Sequence, residues 1–152
     1  MTPPAGYETD RVIRLEANLD DLSPEITGAT MEKLLAAGAL DVWLTPIHMK
    51  KNRPGTMLSV LCEEPQVEAI TDLVFSETST FGLRIEHLLR LKLERRFETV
   101  ATPFGEIVVK LGVRAGKVLQ RAPEFESCKA ASAASGQPLR TIYEAALRAL
   151  PG

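Results

Sequence analysis

The sequence predicts an α+β protein built on a ferredoxin-like sheet, in which four strands and two helices follow one another in the order βαββαβ. Two observations lead to this class. Several short segments alternate apolar and polar residues, which is typical of strands with one buried face. Two other segments carry apolar residues at helical spacing, and the order of the six segments from residue 12 to residue 93 is that of the split βαβ fold.

The first strand and helix have the clearest sequence signals. Val12 to Asn18 alternates in polarity and is predicted to be a strand. Ser23 can cap the helix that follows, with Pro24 at its first position, and Gly38 is expected to end it. These residues predict one βα unit.

A hairpin with a long connection is predicted next. Residues 39–46 and 56–63 are rich in residues that favour strands. The segment between them, from His48 to Gly55, is basic and rich in turn-forming residues, so it is expected to be a surface loop.

A second helix over residues 65–76 and a long strand over residues 82–93 complete the predicted sheet. The ferredoxin-like domain is therefore expected to occupy residues 12–93. No internal repeat and no low-complexity tract interrupts it.

The rest of the chain is expected to add to this domain. Residues 1–11 are predicted to be a flexible tail, because they are polar and rich in proline. Residues 94–152 are predicted to form a β-hairpin, which turns at residues 103–105, and a helical C-terminal extension packed with the same core. The two helices of this extension are placed over residues 123–134 and 139–150.

Composition and charge narrow the classes of function. The 152 residues carry a formal net charge of -2, so the chain has no overall attraction to nucleic acid or to anionic membranes. The first and third predicted strands lack the exposed aromatic pair that stacks RNA bases on a ferredoxin-like sheet. No segment approaches the ~20 apolar residues of a membrane span. We therefore expect a cytoplasmic protein that binds neither nucleic acid nor membranes.

The first candidate motif is NLDDLSPE, which places two adjacent carboxylates, Asp20 and Asp21, between a strand and a helix. Carboxylate clusters suit hard cations such as Mg²⁺ and Mn²⁺, and Glu25 could add a third oxygen ligand. The alternative is that the two aspartates only satisfy turn amides and the helix dipole.

The second motif is PIHMKKNRPG, in which three cations lie within four residues: Lys50, Lys51 and Arg53. Such a loop can surround a polyphosphate, and the guanidinium fork of an arginine binds pairs of oxygens. The alternative is a solvated hairpin tip.

Two further motifs contain polar side chains at element junctions. SETSTFGLR offers Thr78, Ser79 and Thr80 as hydroxyl donors and Arg84 as a charge, although a turn rich in serine and threonine explains it equally well. APEFESCK offers Glu124 and Lys129 at the start of a predicted helix, where acidic residues are also expected as caps. The motifs of P-loop, dinucleotide-binding, zincin and α/β-hydrolase proteins do not occur.

Taken together and in order, five segments resemble those of one family, the LarC nickel insertion proteins: NLDDLSPE, AAGALDVWLTPI, HMKKNRPG, SETSTFGLR and APEFESCK. The resemblance runs from about Val12 to Tyr143. It implies a CTP-dependent cyclometallase, a nickel chelatase of the lyase class. Such an enzyme inserts nickel into pyridinium-3,5-bisthiocarboxylic acid mononucleotide and so makes the nickel-pincer cofactor of lactate racemase.

This chain is similar only to the C-terminal region of that family. The resemblance implies a ferredoxin-like part that binds CTP with Mn or Mg and forms a homo-oligomer, a trimer or a hexamer. The histidine-rich N-terminal region has no counterpart here, since His48 and His87 are the only histidines. The resemblance therefore implies that the N-terminal LarC region is a partner and that this chain alone does not insert nickel.

The resemblance and the chemistry of the motifs together give hypotheses for the site, while the catalytic residues stay unassigned. The predicted metal ligands are Asp20, Asp21 and Glu25. The predicted nucleotide-binding residues are Lys50, Lys51, Arg53, Thr78, Thr80, Arg84, Glu124 and Lys129. Two alternatives remain open, a non-catalytic oligomerisation module and a small-molecule-sensing module of the same fold.

Overall fold

The computed structural model describes residues 4 to 150. Within this range the elements, in chain order, are β1 (Glu8–Leu19), α1 (Pro24–Ala36), β2 (Asp41–Met49), β3 (Arg53–Cys62), α2 (Val67–Glu77), β4 (Arg84–Lys92), β5 (Glu94–Thr102), β6 (Gly105–Arg114), β7 (Lys117–Pro123), α3 (Phe125–Ser135) and α4 (Leu139–Ala149). Single turns of 3-10 helix lie at Lys50–Asn52 and Glu64–Gln66. None of the helices in this range is long and apolar enough to cross a membrane.

The chain divides into two compact units. The first unit is Asp10–Arg90 and contains the βαββαβ elements. The second unit consists of the described residues from Leu91 onward, together with those before Asp10.

The sheet of the first unit has the strand order β2-β3-β1-β4, and β3 pairs antiparallel with both β1 and β2. This order and the βαββαβ succession confirm the predicted ferredoxin-like class. One face of β1 carries the buried residues Ile13, Leu15, Ala17 and Leu19, which pack with residues of α1 and α2. The intervening polar residues therefore lie on the opposite, open face of the sheet.

The first βα connection has the predicted cap. The Oγ of Ser23 accepts a hydrogen bond from the backbone N–H of Ile26 at 3.3 Å, and Pro24 opens α1. This cap fixes where the helix starts, and so it also fixes the short segment with Asp20 and Asp21 that precedes it.

The connection between β2 and β3 is much shorter than predicted. The two strands pair as far as Met49 and Arg53, so the segment from His48 to Gly55 is mostly strand, and only the 3-10 turn remains as a loop. The prediction of a long loop was wrong because the polar residues of this segment alternate along two paired strands, where solvent covers their exposed side.

The predicted N-terminal tail is also shorter than expected. Residues 8 to 11, which we placed in the tail, belong to β1. Residues 4 to 7 have no helix or strand, and residues 1 to 3 lie outside the described range. The start of β1 was hidden because its first residues are exposed and polar, which gives no periodic signal.

The second unit contains a three-stranded sheet in the order β5-β6-β7, with both pairs antiparallel. The first two strands are the predicted hairpin, whereas the third, β7, was not predicted. The buried residues of β6 are Ile107, Val109, Leu111 and Val113, and they pack in a cluster with residues of α3 and α4. Residues 94–150 therefore have a core of their own, and our expectation that they share the core of the ferredoxin-like domain was wrong.

Candidate functional site

The acidic and basic motifs meet at one corner of the first unit. Asp20 follows β1, and Arg53 is the first residue of β3. Arg53 Nη1 lies 3.2 Å from Asp20 Oδ2, although the two residues are 33 positions apart in the chain. The pairing of Leu19 with Thr56 sets this contact, because it places the end of one strand beside the start of the other.

The hydroxyl-rich motif reaches the same corner through Ser79, a possible donor that is not among the predicted nucleotide-binding residues. The Oγ of Ser79 donates a short hydrogen bond to Oδ1 of Asp21. The predicted hydroxyls serve the turn itself, since Thr78 Oγ1 donates to the carbonyl of Val74 at 2.6 Å and Thr80 Oγ1 donates to that of Gly82 at 2.8 Å. These hydroxyl protons would have to leave their present partners before they could bind phosphate.

A cleft of about 570 Å³ contains residues of all three motifs. This volume is in the range of small-molecule sites. Two of the predicted cations line it, Lys50 and Arg84. The other lining residues were not predicted: Asn18, Ile47, His48, Met49 and Met57.

These lining residues were not predicted for one shared reason, which is that the pairing of the strands brings them together. Asn18 lies directly opposite Met57 in the pairing of β1 with β3, and Met57 lies opposite Thr45 in the pairing of β3 with β2. Only the register brings these side chains to one face. The alternation of polar and apolar residues predicted that Asn18 lies on the polar face of its strand. It could not predict which residues of the neighbouring strands lie beside it.

A hydrogen bond and an ion pair hold Arg84 in place at the cleft. Its Nη2 donates to Oδ1 of Asn18 at 2.9 Å, and its Nε lies 3.5 Å from Oε2 of Glu16. The Glu16 side chain is only 12% exposed and also contacts Arg14 Nε at 3.3 Å and the buried Ser59 Oγ at 3.5 Å. A mostly buried carboxylate with several partners fixes the arginine, which favours a preformed site.

The hairpin tip presents two lysines, Lys50 and Lys51. Neither Lys50 nor Lys51 forms an ion pair with any residue between 4 and 150. Lys51 and Asn52 both adopt left-handed backbone angles, with φ of 60° and 58°. The tip is also held by a contact of 2.6 Å between His48 Nε2 and Asn52 Oδ1. Left-handed residues other than glycine are uncommon, and they concentrate at functional sites.

The three predicted metal ligands do not form a cluster of their own. Across the described part of the chain, no group of three or more histidine, cysteine, aspartate or glutamate side chains could hold a metal ion. Asp20 contacts Arg53 and Asp21 contacts Ser79, while Glu25 lies in the first turn of α1. Two carboxylates fit a magnesium-type ion only where a ligand such as a polyphosphate supplies further oxygens.

The fourth motif lies in the second unit, with partners of its own. Glu124 Oε1 lies 3.1 Å from Lys110 Nζ, and Lys129 Nζ lies 3.8 Å from Glu126 Oε2. Neither Glu124 nor Lys129 lines the cleft of the first unit. Their predicted role in nucleotide binding stays a prediction.

Comparison with known proteins gives a consistent result. The sequence signature of the nickel insertion protein family matches residues 2–143. A relative from Myxococcus xanthus is 48% identical over 136 residues, which are 90% of this chain and 35% of the relative. The pyridinium-3,5-bisthiocarboxylic acid mononucleotide nickel insertion protein of Acetivibrio thermocellus is 42% identical over 141 residues, covering 93% of this chain and 34% of that protein.

A solved structure has the same fold. It is that of LarC2 in its apo form, described as the C-terminal domain of a cyclometallase involved in the synthesis of the NPN cofactor of lactate racemase. The TM-score is 0.87 at 42% identity, over 93% of this chain and 98% of that one. This chain spans about a third of the length of the curated relatives that it matches. The chain therefore belongs to the LarC family of nickel insertion proteins and corresponds to the C-terminal domain of its members.

Proposed function

We propose that this chain binds CTP together with Mn²⁺ or Mg²⁺ at the corner and cleft of its first unit. One observation carries the proposal. Motifs that are distant in the chain converge there, with Asp20 3.2 Å from Arg53 and with Lys50 and Arg84 lining one cleft. Carboxylates beside cations can hold both a divalent ion and the phosphate oxygens that the ion bridges.

Each group has a chemical role in this proposal. Asp20 and Asp21 hold the divalent ion, and phosphate oxygens complete its coordination, with Glu25 as a further candidate. Lys50, Lys51 and Arg53 neutralise the triphosphate. Binding of the metal at Asp20 replaces the present ion pair with Arg53, which frees the guanidinium for phosphate. Arg84, which is fixed by Asn18 and Glu16, positions a phosphate or the ribose together with Thr78 and Thr80.

We propose nickel insertion as the activity of the full-length protein. In that protein, this chain acts as the C-terminal part of a lyase-class cyclometallase that inserts nickel into pyridinium-3,5-bisthiocarboxylic acid mononucleotide. The proposal is supported by membership of the family and by the names of the relatives. Nickel is a substrate of this reaction. Because the chain covers only 34 to 35% of these relatives, we propose that insertion also requires the N-terminal LarC region.

Calorimetry with CTP and Mn²⁺ tests the proposed site. We expect Lys50→Ala to weaken binding by roughly tenfold or more, since a contact to a charged group contributes about 1.5–3 kcal/mol. We expect Asp20→Ala to remove the dependence on Mn²⁺. Lys117→Ala is the matched control, because Lys117 lies at the start of β7 in the second unit, and it should bind like the unchanged protein. Unchanged affinity in both Lys50→Ala and Asp20→Ala would remove the assignment.

A second candidate function is assembly without nucleotide binding, and one observation favours it. The strand β4 lies at the edge of its sheet, and Ile85 and Leu89 on it are 48% and 50% exposed. Exposed apolar edge strands are templates for pairing with another chain. Light scattering should show the trimer or hexamer that both candidates allow. A thermal-shift screen with nucleoside triphosphates and Mn²⁺ separates them, because only the first predicts stabilisation by CTP.

A further inference from the structure

The second unit has a groove on the open face of its sheet. Along β6, Val109 and Leu111 are buried in the core with the helices, so Lys110 and Gly112 face the other side. A groove of about 320 Å³ lies on that face. The lining residues that matter for its chemistry are Leu93, Arg95, Lys110, Gly112, Gln120 and Ala122.

Three cations line this groove: Lys92, Arg95 and Lys110. Two of them, Arg95 and Lys110, lie on neighbouring strands of its sheet. Arg95 pairs with Gly112, and Lys110 pairs with Phe97 on one side and Ala122 on the other. Residues that lie diagonally across adjacent strands on one face are within reach of each other's long side chains. Arg95 forms no ion pair with any residue in the described range, so its charge is available to a ligand.

The side chain of Glu124 contacts a cation of this groove and does not cap its helix. It occupies the N-cap position of α3, yet its side chain makes no capping hydrogen bond. Its carboxylate lies 3.1 Å from Lys110 Nζ instead. The APEFESCK motif, which contributes no lining residue to the cleft of the first unit, therefore holds Lys110, one of the cations of the groove.

The floor of the groove is largely apolar. A Cβ on Gly112 would lie 2.7 Å from Leu93 Cδ1 and 3.2 Å from Gln120 Cβ, so only glycine lets the Leu93 side chain lie against the strand. Ala122 extends this floor with another small residue. Phe97, opposite Lys110, is 60% exposed and offers an aromatic face at the side. An apolar floor next to cations suits an apolar ring that carries acidic groups.

We infer that this groove binds a planar aromatic anion of the pyridine-carboxylate class. Arg95 takes one carboxylate as a bidentate pair, Lys110 takes a second by exchange from Glu124, and the ring lies on the floor formed by Leu93 and Ala122. This inference rests on the proposed function, since the substrate named for the relatives is a pyridinium ring with two thiocarboxylic acid groups. It separates the site of that ring from the nucleotide site of the first unit.

The test is a nuclear magnetic resonance titration of the whole chain with pyridine-3,5-dicarboxylate. We expect shifts for amides around Gly112 and Ala122, and at least about tenfold weaker binding in Arg95→Gln. Arg96→Gln is the matched control, because Arg96 is the next residue, pairs with Leu111 on the other face and is bonded to Glu94 at 2.7 Å. Arg95→Lys keeps the charge but loses the fork, and it should lie between the two.

Further titrations distinguish the possible outcomes. Inorganic phosphate is an anion without a ring. If phosphate binds as tightly as the dicarboxylate, the groove is a simple anion site and the inference is overturned. Equal losses in Arg95→Gln and Arg96→Gln would overturn it as well. Lys50→Ala should leave the titration unchanged while it weakens binding of CTP with Mn²⁺, so a failure of the nucleotide site is distinguished from a failure of the groove.

Discussion

At the scale of single residues, the proposed nucleotide site depends on charges that are partly compensated before any ligand binds. Arg53 has Asp20 as a partner, and Arg84 has Asn18 and Glu16, whereas Lys50 and Lys51 have no ion-pair partner among residues 4 to 150. The motifs alone predicted the four cations. They could not predict Asn18 or Glu16, because their roles come from the strands that the register places beside them.

The backbone at the hairpin tip gives a prediction that separates stability from binding. Lys51 has a φ of 60°, a conformation that costs most side chains energy and costs glycine little. We expect Lys51→Gly to raise the free energy of unfolding by up to about 1 kcal/mol, or to leave it unchanged. The same variant should bind CTP with Mn²⁺ roughly tenfold more weakly, because a cation is lost.

Lys50→Gly is the matched control for this prediction. Lys50 is not among the residues with positive φ, so glycine relieves no strain there. Because glycine loses more conformational entropy on folding, the free energy of unfolding should fall by roughly 0.5–1 kcal/mol. Urea denaturation measures both variants. If the two lose stability equally, the left-handed conformation of Lys51 does not exist in solution.

At the scale of elements, the sequence predicted the βαββαβ order because its signals depend only on nearby residues. These signals are the alternation of polar and apolar residues in strands and the capping residue of a helix. Ser23 and Pro24 mark α1, and the structure has the cap where it was expected. The strand β7 escaped prediction because only Val118, Ala122 and Pro123 are shielded from solvent in it, which leaves no clear alternation. The tight turn between β2 and β3 was missed for a related reason, since polar strand ends resemble a loop.

The approach of β3 to its neighbours can be tested at Gly55. A Cβ at this position would lie 2.8 Å from the backbone oxygen of Leu19 and 2.7 Å from Met49 Sδ. Because a backbone atom cannot move away easily, we expect Gly55→Ala to lower the free energy of unfolding by about 1–3 kcal/mol. The change should also weaken binding of CTP with Mn²⁺, since Leu19 precedes Asp20.

Gly28 provides the contrasting variant. It lies inside α1 on an exposed position, and a Cβ there would meet nothing within 4 Å. Gly28→Ala should therefore stabilise the protein by about 0.5–1 kcal/mol, because alanine favours a helix over glycine. Thermal and urea unfolding measure the pair, and a neutral Gly55→Ala would mean that β1 and β3 are not as close as described.

At the scale of the whole molecule, each unit has its own core and its own candidate site. The sequence predicted the first unit well because its elements follow one known order. It did not predict a separate second core. The alternation of polar and apolar residues in β6 shows that one face of the strand is buried, but it does not show which elements pack against that face. The nucleotide is proposed for the first unit and an aromatic anion for the second, and nickel insertion is proposed to need the N-terminal region of the family.

A crystal structure of the chain with CTP and Mn²⁺ tests the central claim most directly. We predict a triphosphate that contacts Lys50 and Arg53, with the manganese ion bound by Asp20 or Asp21 and by phosphate oxygens. The separation of Arg53 Nη1 from Asp20 Oδ2, which is 3.2 Å without ligand, should increase. A bound nucleotide whose phosphates contact none of the cations from Lys50 to Arg53, with the metal away from both aspartates, would contradict the account.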